Sequence, residues 1–519
     1  MSEAREGIAD GGPERVRAVL NAAMAVHRAG DLSAAEAAYQ AVLALDPDQA
    51  DALHLLGLVL YQRRSGKEAF GYVRRAIALQ PDVASFHHSL GRILRGAGQY
   101  RQAIRSFVRT LRLAPGNCSA ETDLAATLCD MKRFAEAEAL LENALARAPQ
   151  DTDLRCAYGR LLLMTGRNEQ AVAVLHAILE DVPNHVGTLN NLGVALNLAG
   201  NDAAAGLVLE RALALSPNHV DAHTNYGQLL LLRGDYAAGW THHEWRLQRR
   251  DYRRRFAVPK WQGEPLNGRA ILIWCEQGLG DAIHFIRYAP MVAARGGRVL
   301  VECRKPLHRL LTGVDGVAAV FEMGAARDYA VHVPVMSLPQ VFGTTLDTIP
   351  AAVPYVPVPR PSRIDGRGAR LKVGLVWAGN PDNLRDRARS RRLADFAPLA
   401  ALKDVAWYSL QVGAGAGDSP PDGMAIVNRM PEVKDFYDTA ADLAALDLLI
   451  TIDSSSAHLA GAIGASVWVL LDKVADWRWL TNRDDTPWYP TMRLFRRDSD
   501  WPDLFARVAA ALQHFQPGR

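Results

Sequence analysis

Prolines at positions 47, 81, 115, 149, 183 and 217 follow one another at a constant step of 34 residues. A small residue keeps the same step at Gly57, Gly91, Ala125, Gly159, Gly193 and Gly227, and so does alanine at Ala35, Ala69, Ala103, Ala137, Ala171 and Ala205. Three coincident series of one period leave little choice of fold. Each period is long enough for two helices. The small residues allow the two helix axes to approach, and the proline ends the second helix because it cannot extend the hydrogen-bond ladder. Glycines at 30, 98, 166, 200 and 234 fall where the turn between the two helices is expected. Each hairpin has an apolar face that only its neighbour can cover, so the hairpins must stack.

The pattern resembles the tetratricopeptide (TPR) repeat, with about six full copies from residue ~14 to ~220 and a seventh half-repeat. That resemblance implies an α-helical superhelix whose groove takes extended peptides or other proteins. Just ahead of the small residue, the last two periods carry Asn191 in GTLNNLG and Asn225 in AHTNYG. A carboxamide pairs with both N–H and C=O of a peptide backbone, so these two are candidate peptide-binding residues. Upstream, the equivalent positions are Leu55, Ser89, Asp123 and Ala157. The alternative is a polar residue on a solvated groove.

The chain has 519 residues, 59 Lys+Arg against 56 Asp+Glu, and a net charge of +3. That balance gives no basis for nucleic-acid or membrane-surface binding. Five scattered cysteines without a CxxC pair exclude a disulfide framework and a cysteine zinc module, and they fit a reducing compartment. The opening MSEAREGIADGG lacks the basic and apolar regions of a signal peptide. Apolar runs stay short of the ~20 residues that span a bilayer. The expectation is a soluble, cytoplasmic protein with a disordered stretch at 1–13, a repeat array at 14–235 and a connecting helix or linker at 236–255. That connector carries a basic run at Arg249, Arg250, Arg253, Arg254 and Arg255.

Beyond it the texture changes to short apolar runs separated by helical patterns. Strands are expected at 270–275, 298–303, 317–323 and 329–335, with a helix from Asp281 to about Ala294. A Pro-, Gly- and Arg-rich linker at 357–371 precedes a second series at 372–379, 406–413, 424–430, 447–453 and 466–472. Helices are expected at 435–446 and 455–464. Alternating βα units build parallel sheets. Two series joined by a linker predict two Rossmann-like lobes, 256–360 and 361–519, with ligands off the carboxyl ends of the strands.

Three such loops carry candidate residues. In CEQGLGDAIHF (275–285), Gly278 and Gly280 open a helix after a strand, but the third glycine of the dinucleotide fingerprint is replaced by Ile283. Asp281 there either caps the helix or serves as a base, and His284 lies on the same face, towards the cleft or packed against the other lobe. The loop AGNPDNLRDRARSRRL (378–393) holds Arg385, Arg387, Arg389, Arg391 and Arg392. Guanidinium forks suit a diphosphate, and a merely solvated loop is the alternative. In ITIDSSSAHLAGAIG (450–464) a strand ends at Asp453, and serines 454–456 open a helix containing His458. The helix dipole and free N–H groups favour an anion and a neutral His458.

With these motifs in place, residues ~236–515 resemble glycosyltransferase family 9, the heptosyltransferase-like module found behind TPR arrays in bacteria. GLGD resembles that family's glycine–aspartate motif, and DSSSAHLAGAIG its D-(S/T)-x-x-x-H-L-x-x-A motif. The order W-x-G-N-P, the Arg389–Ser390 step, ADWRWL (475–480) and PWYPTMRLFR (487–496) are similar to the TPR-linked subgroup. The resemblance implies a GT-B fold, a nucleotide-sugar donor on the C-terminal lobe, an inverting mechanism and neither metal nor cofactor. It also implies a C-terminal helix (503–515) that returns to the first lobe. Asp281 takes the family's base and Asp453 and His458 its donor-sugar contacts. The expected donor set adds Gly278, Gly280, Asn380, Arg389, Ser390, Gln411, Ser455 and Ser456, with His284 as a second catalytic candidate. The expected partners are the donor and a protein or glycan acceptor, since TPR–GT-B fusions also resemble O-linked N-acetylglucosamine transferases and flagellin-modifying enzymes. A non-catalytic adaptor and a nucleotide-sugar epimerase are the competing readings.

Overall fold

The computed structural model describes residues 12–63, 65–249, 252, 254–358, 364–365, 368–381, 383 and 386–517. Residues 1–11, Arg250, Arg253, Arg385 and parts of the 357–371 linker lie outside this set, so the expectations placed on them do too. The chain divides into two compact units, 1–191 and 192–519.

Up to residue 243 the described residues form fourteen α-helices, from Gly12–Arg28 to Tyr236–His243. They are tetratricopeptide repeats built as the period requires. The proline follows two residues behind the end of each second helix, as at Leu45 and Pro47. A Cβ added to Gly57 would lie 2.6 Å from Val73, one on Gly91 2.5 Å from Phe107, and one on Gly159 2.7 Å from Leu175. The small position is therefore where helix B presses on helix A. Gly30, Gly98, Gly166, Gly200 and Gly234 all have positive φ, from 74° to 86°. Lys132 takes that place in the fourth turn at φ 60°, a strain glycine would avoid. Repeats of the first unit are also pinned through side chains 35 residues apart, one more than the period. His54 meets Ser89 at 2.8 Å and His88 meets Asp123 at 2.9 Å.

The seventh repeat differs from the half-repeat read in the sequence. Its second helix, Tyr236–His243, is present but short, and passes into a 3-10 turn at Glu244–Gln248. The boundary expected at 235 also moves. Leu231, Leu232, Tyr236 and Trp240 share one core with Ile271, Phe285 and Trp488, so the last hairpins belong to the α/β unit. Leu231 and Leu232 reach that core from the helix Val220–Leu232, and aromatic side chains fasten the helix that follows. Trp240 Nε1 donates to the Thr344 carbonyl at 3.0 Å, and Trp488 Nε1 donates to the Tyr236 hydroxyl at 3.0 Å.

The α/β part contains two parallel sheets. The first joins β1 (Ala270–Trp274), β2 (Arg298–Cys303), β3 (Val317–Glu322) and β4 (Val331–Pro334) in the order β3-β2-β1-β4. The second joins β5 (Leu371–Val376), β6 (Val405–Ser409), β7 (Ile426–Asn428), β8 (Leu448–Ile452), β9 (Val467–Leu471) and β10 (Met492–Arg496). Its order is β7-β6-β5-β8-β9-β10. Every pairing is parallel. Strand order reverses between β1 and β4 in the first sheet and between β5 and β8 in the second. β10 was not read as a strand in the sequence.

Two elements differ from expectation. The helix expected from Asp281 to Ala294 starts earlier and is broken into Leu279–Phe285, a 3-10 turn and Ala289–Ala293, where Pro290 opens the last piece. The C-terminal helix, Trp501–Gln513, does not return to the first lobe. Its stripe of Leu504, Phe505, Val508 and Leu512 packs on Leu393, Phe396 and Leu399 of its own lobe, with Phe396 and Phe505 ring centroids 4.6 Å apart. That apolar surface lies beside β10 and satisfies the helix without a crossing.

Candidate functional site

A reversal of strand order leaves a crevice at the carboxyl ends of the two strands that flank it. In the second sheet these ends are Val376 of β5 and Ile452 of β8. β8 is buried along its whole length and delivers Asp453 at its tip. Ser454 then caps the helix Ser455–Ala462, its hydroxyl accepting from the Ala457 N–H and meeting the Thr451 hydroxyl at 3.0 Å. Ser455 and Ser456 follow in the first turn, half-buried.

The loop after β5 folds back to the same point. Gly379 leaves no room for a side chain, because a Cβ there would lie 2.5 Å from Asp386 Oδ1 and 2.9 Å from Arg389 Nη2. The Ser390 hydroxyl accepts the Gly379 N–H at 2.8 Å. Arg389 is held by Asp386 at 3.3 Å and reaches to 4.0 Å from Asp453. Arg391 turns elsewhere, stacking 4.3 Å over the Trp501 ring and donating to the Arg387 carbonyl. Asn380 is exposed beside this loop. Gln411 is committed to the backbone. Its Oε1 accepts the N–H groups of Trp377 and Ala378 at 2.9 Å, while Nε2 donates to the carbonyls of Ala378, Val412 and Ala414. Gln411 therefore shapes the β5 and β6 loops, and the donor contact expected of it is corrected to this role.

The loop after β1 comes against this crevice from the first lobe. A Cβ on Gly280 would stand 2.9 Å from His458 Cδ2 and 3.4 Å from Ser455 Cα. Gly278 is the N-cap residue, and its N–H donates to Asp281 Oδ2 at 2.8 Å. The other oxygen, Oδ1, accepts from Arg478. Asp281 thus caps its helix and pairs across the lobes at once. Arg478 also donates to Asp476 Oδ1 at 2.7 Å, and these carboxylates hold its guanidinium charged against the cost of burial. Asp453 feels the reverse. Burial and the nearby Asp476 push its pKa up, while Arg389 and Arg478 pull it down.

His284 and His458 meet in the seam between the lobes, their Nδ1 atoms 3.3 Å apart and both on the Tyr489 hydroxyl, at 3.1 and 2.9 Å. Burial, with Arg478 close by, pushes His458 down to about 3, and burial holds His284 well below the usual imidazole range. Both rings are neutral at physiological pH. His284 is fully enclosed, with Trp488 and Phe285 against it at 4.5 and 4.4 Å. Of its two sequence readings, the arrangement is that of packing against the other lobe. Arg287 closes the seam, donating to the Trp488 carbonyl at 2.7 Å and the Tyr355 hydroxyl at 2.9 Å. Behind the β1 loop, Arg246 links Glu276 (2.7 Å) to Glu244 (2.6 Å), tying the end of the repeats to the loop that carries Asp281.

Sequence reading missed Arg478, Asp476 and Trp479. The available signal was an arginine inside ADWRWL, since a guanidinium enclosed by tryptophans needs an anion beside it. In the repeats, Asn191 lines a cavity of about 190 Å³ with Cys129, Asp153, Cys156 and Arg160. Asn225 is on the helix Val220–Leu232, half-buried. Among the described residues no helix is long and apolar enough to cross a membrane.

The fold and site describe a tetratricopeptide array followed by two parallel sheets, with the loop after β1 set against the start of the helix Ser455–Ala462. Tetratricopeptide repeat models match residues 4–49, 20–84, 87–119, 128–189 and 208–240. Protein FlbA of Caulobacter vibrioides (strain ATCC 19089 / CIP 103742 / CB 15) is 27% identical over 305 residues, which is 50% of this chain and 49% of FlbA. The chain therefore spans about half the length of this relative. A tetratricopeptide repeat protein from Parabacteroides merdae ATCC 43184 is similar at 15% identity and TM-score 0.39, over 44% of this chain and 93% of that one. The thermophilic TPR protein TTC0263 of Thermus thermophilus is similar at 21% identity and TM-score 0.32, over 35% and 98%. The repeats are those of a protein-interaction scaffold.

Proposed function

We propose that the α/β unit is an inverting, nucleotide-sugar-dependent glycosyltransferase of GT-B type, with the tetratricopeptide array presenting a protein acceptor. The observation that carries this reading is the meeting of the β5–β8 reversal with the β1 loop. It brings Arg389, Asp453 and the Ser455–Ala462 helix start to one side and Asp281 to the other. Transfer with inversion needs a base on the acceptor hydroxyl and stabilisation of the leaving diphosphate. In this reading Arg389, Ser455 and Ser456 receive the diphosphate and Asp281 the proton. Arg478 withdraws from Asp281 when substrate enters, freeing Oδ1, and turns its charge to the leaving group. His458 stays neutral and offers a fixed wall to the sugar.

One observation favours a second reading, a scaffold with a binding-only module. Both carboxylate oxygens of Asp281 are already engaged. The experiment that separates the two uses the full chain in a thermal-shift screen of nucleotide sugars and free nucleotides. Specific binding raises the melting temperature by mass action. Hydrolysis or transfer of the stabilising donor then supports the enzyme, and stabilisation without turnover supports the scaffold. No stabilisation by any nucleotide sugar removes the donor site itself.

A further inference from the structure

A second cavity, of about 420 Å³, lies where the ends of β9 and β10 meet the last repeats, with Gly200, Asp202, Lys473, Leu480, Asn482 and Arg496 in its wall. Its charges are not balanced. Arg497 is neutralised by Asp472 at 2.6 Å and Asp498 by Arg507 at 3.3 Å. Arg496 instead donates to two carbonyls, Arg483 O at 2.8 Å and Trp479 O at 2.6 Å, and has no carboxylate among the described residues. Burial and the neighbouring Arg483 push its pKa below the ordinary arginine value, the mark of a cation lacking a counter-charge. Lys473 is exposed, crosses Gly200 with its aliphatic stem, and has no ion pair among the described residues. On the opposite wall Asp202 uses Oδ1 to accept from Asn197 at 2.8 Å.

We propose that this cavity binds a carboxylate side chain, Asp or Glu, of the polypeptide acceptor, with Arg496 and Lys473 as its ligands. The word acceptor rests on the function proposed above; the binding itself does not. Two features select a peptide carboxylate. One wall is made by the repeats, the part of the chain that serves as a protein scaffold. Asp202 repels a phosphate dianion about twice as strongly as a carboxylate monoanion and accepts a backbone N–H, which a peptide supplies beside its carboxylate. The cavity also reports to the candidate site. Arg496 holds the carbonyl of Trp479, whose indole stacks on His458 with centroids 5.4 Å apart. The next residue, Leu480, is forced to φ 52°, ψ −166°, a conformation costly for a branched side chain. A ligand on Arg496 therefore bears on the Trp479 peptide and, through its ring, on His458.

The test uses the full chain and a fluorescein-labelled hexaglutamate peptide, followed by anisotropy at low salt, with hexaglutamine and inorganic phosphate as comparators. Saturable hexaglutamate binding is expected, weakened roughly tenfold or more by Arg496→Gln or by Lys473→Gln, since each removes a charge-assisted contact. Lys473 is exposed, so its variant decides the matter if Arg496→Gln does not fold. Arg112→Gln, on an exposed face of the array, is expected to bind as wild type. Equal binding of hexaglutamine, or affinity unchanged in both cavity variants, overturns the proposal. Displacement by phosphate at concentrations where free glutamate has no effect also overturns it, in favour of a phosphate site. None of these readouts needs a sugar donor or turnover, so this proposal and glycosyl transfer fail independently.

Discussion

Gly280 stands so close to His458 that a single added methyl would lie 2.9 Å from the imidazole Cδ2. The two residues are far apart in sequence and lie on helices that follow strands of different sheets, and their approach sets the spacing of the two loops that carry Asp281 and Asp453. The imidazole has little room to give way, being stacked on Trp479 and bonded to Tyr489. Gly280→Ala is therefore expected to cost about 1–3 kcal/mol, the usual range for overpacking a filled contact. Chemical denaturation measures it, and wild-type stability would show that the lobes separate freely at this point.

Asp281→Asn tests the assigned base. Loss of a general base lowers rate by ~10²–10⁴, so turnover should collapse while donor affinity holds. The carboxamide oxygen can still cap the helix, but Arg478 loses one of its carboxylates, so a modest fall in melting temperature is expected as well. Near-normal transfer by the variant would remove Asp281 from the chemistry.

Arg389→Ala addresses the donor. If the guanidinium meets the diphosphate, calorimetry should show binding weakened by roughly 1.5–3 kcal/mol. If its role is confined to Asp386, the variant binds nucleotide normally.

Acid should weaken the 192–519 unit more than the other. His458 protonates at about 3 when folded and near 6.5 when unfolded, so its contribution is complete above 6.5 and lost as pH falls from there towards 3. The slope is about 1.4 kcal/mol per pH unit for each such group. His242, His243, His284 and His332 are lowered in the same direction in this unit, against His54 in the first. Asp453, raised in the fold, acts with the opposite sign and offsets part of the loss at the acid end. Hydrogen exchange at pH 7 and pH 5 reads the two units separately, and an equal loss of protection in both would contradict the assignment.

The repeats were legible because their register is written in small residues, and Gly57, Gly91 and Gly159 meet their partners where the period puts them. Nine strands were legible as apolar runs. β10 was not, because Met492–Arg496 alternates with charge and begins just after Pro490. The stripe of the C-terminal helix was visible, but a stripe does not name the sheet that will cover it. The Asp281–Arg478 pair spans 197 residues and exists only through the meeting of two sheets, which no local pattern encodes. Gln411 marks another limit. A glutamine at a strand end reads alike whether it will hold a ligand or its own loop.

Leu231 and Leu232 sit inside the core of the lobes, although the sequence places them in the repeat array. The seam for exchanging arrays between proteins of this build is therefore displaced from the apparent end of the repeats. A chimera cut near residue 235 would strip these two leucines from the lobes they help to close, whereas one joined close to residue 191 keeps them in place. The last hairpins are the adaptor any replacement array must be grafted onto.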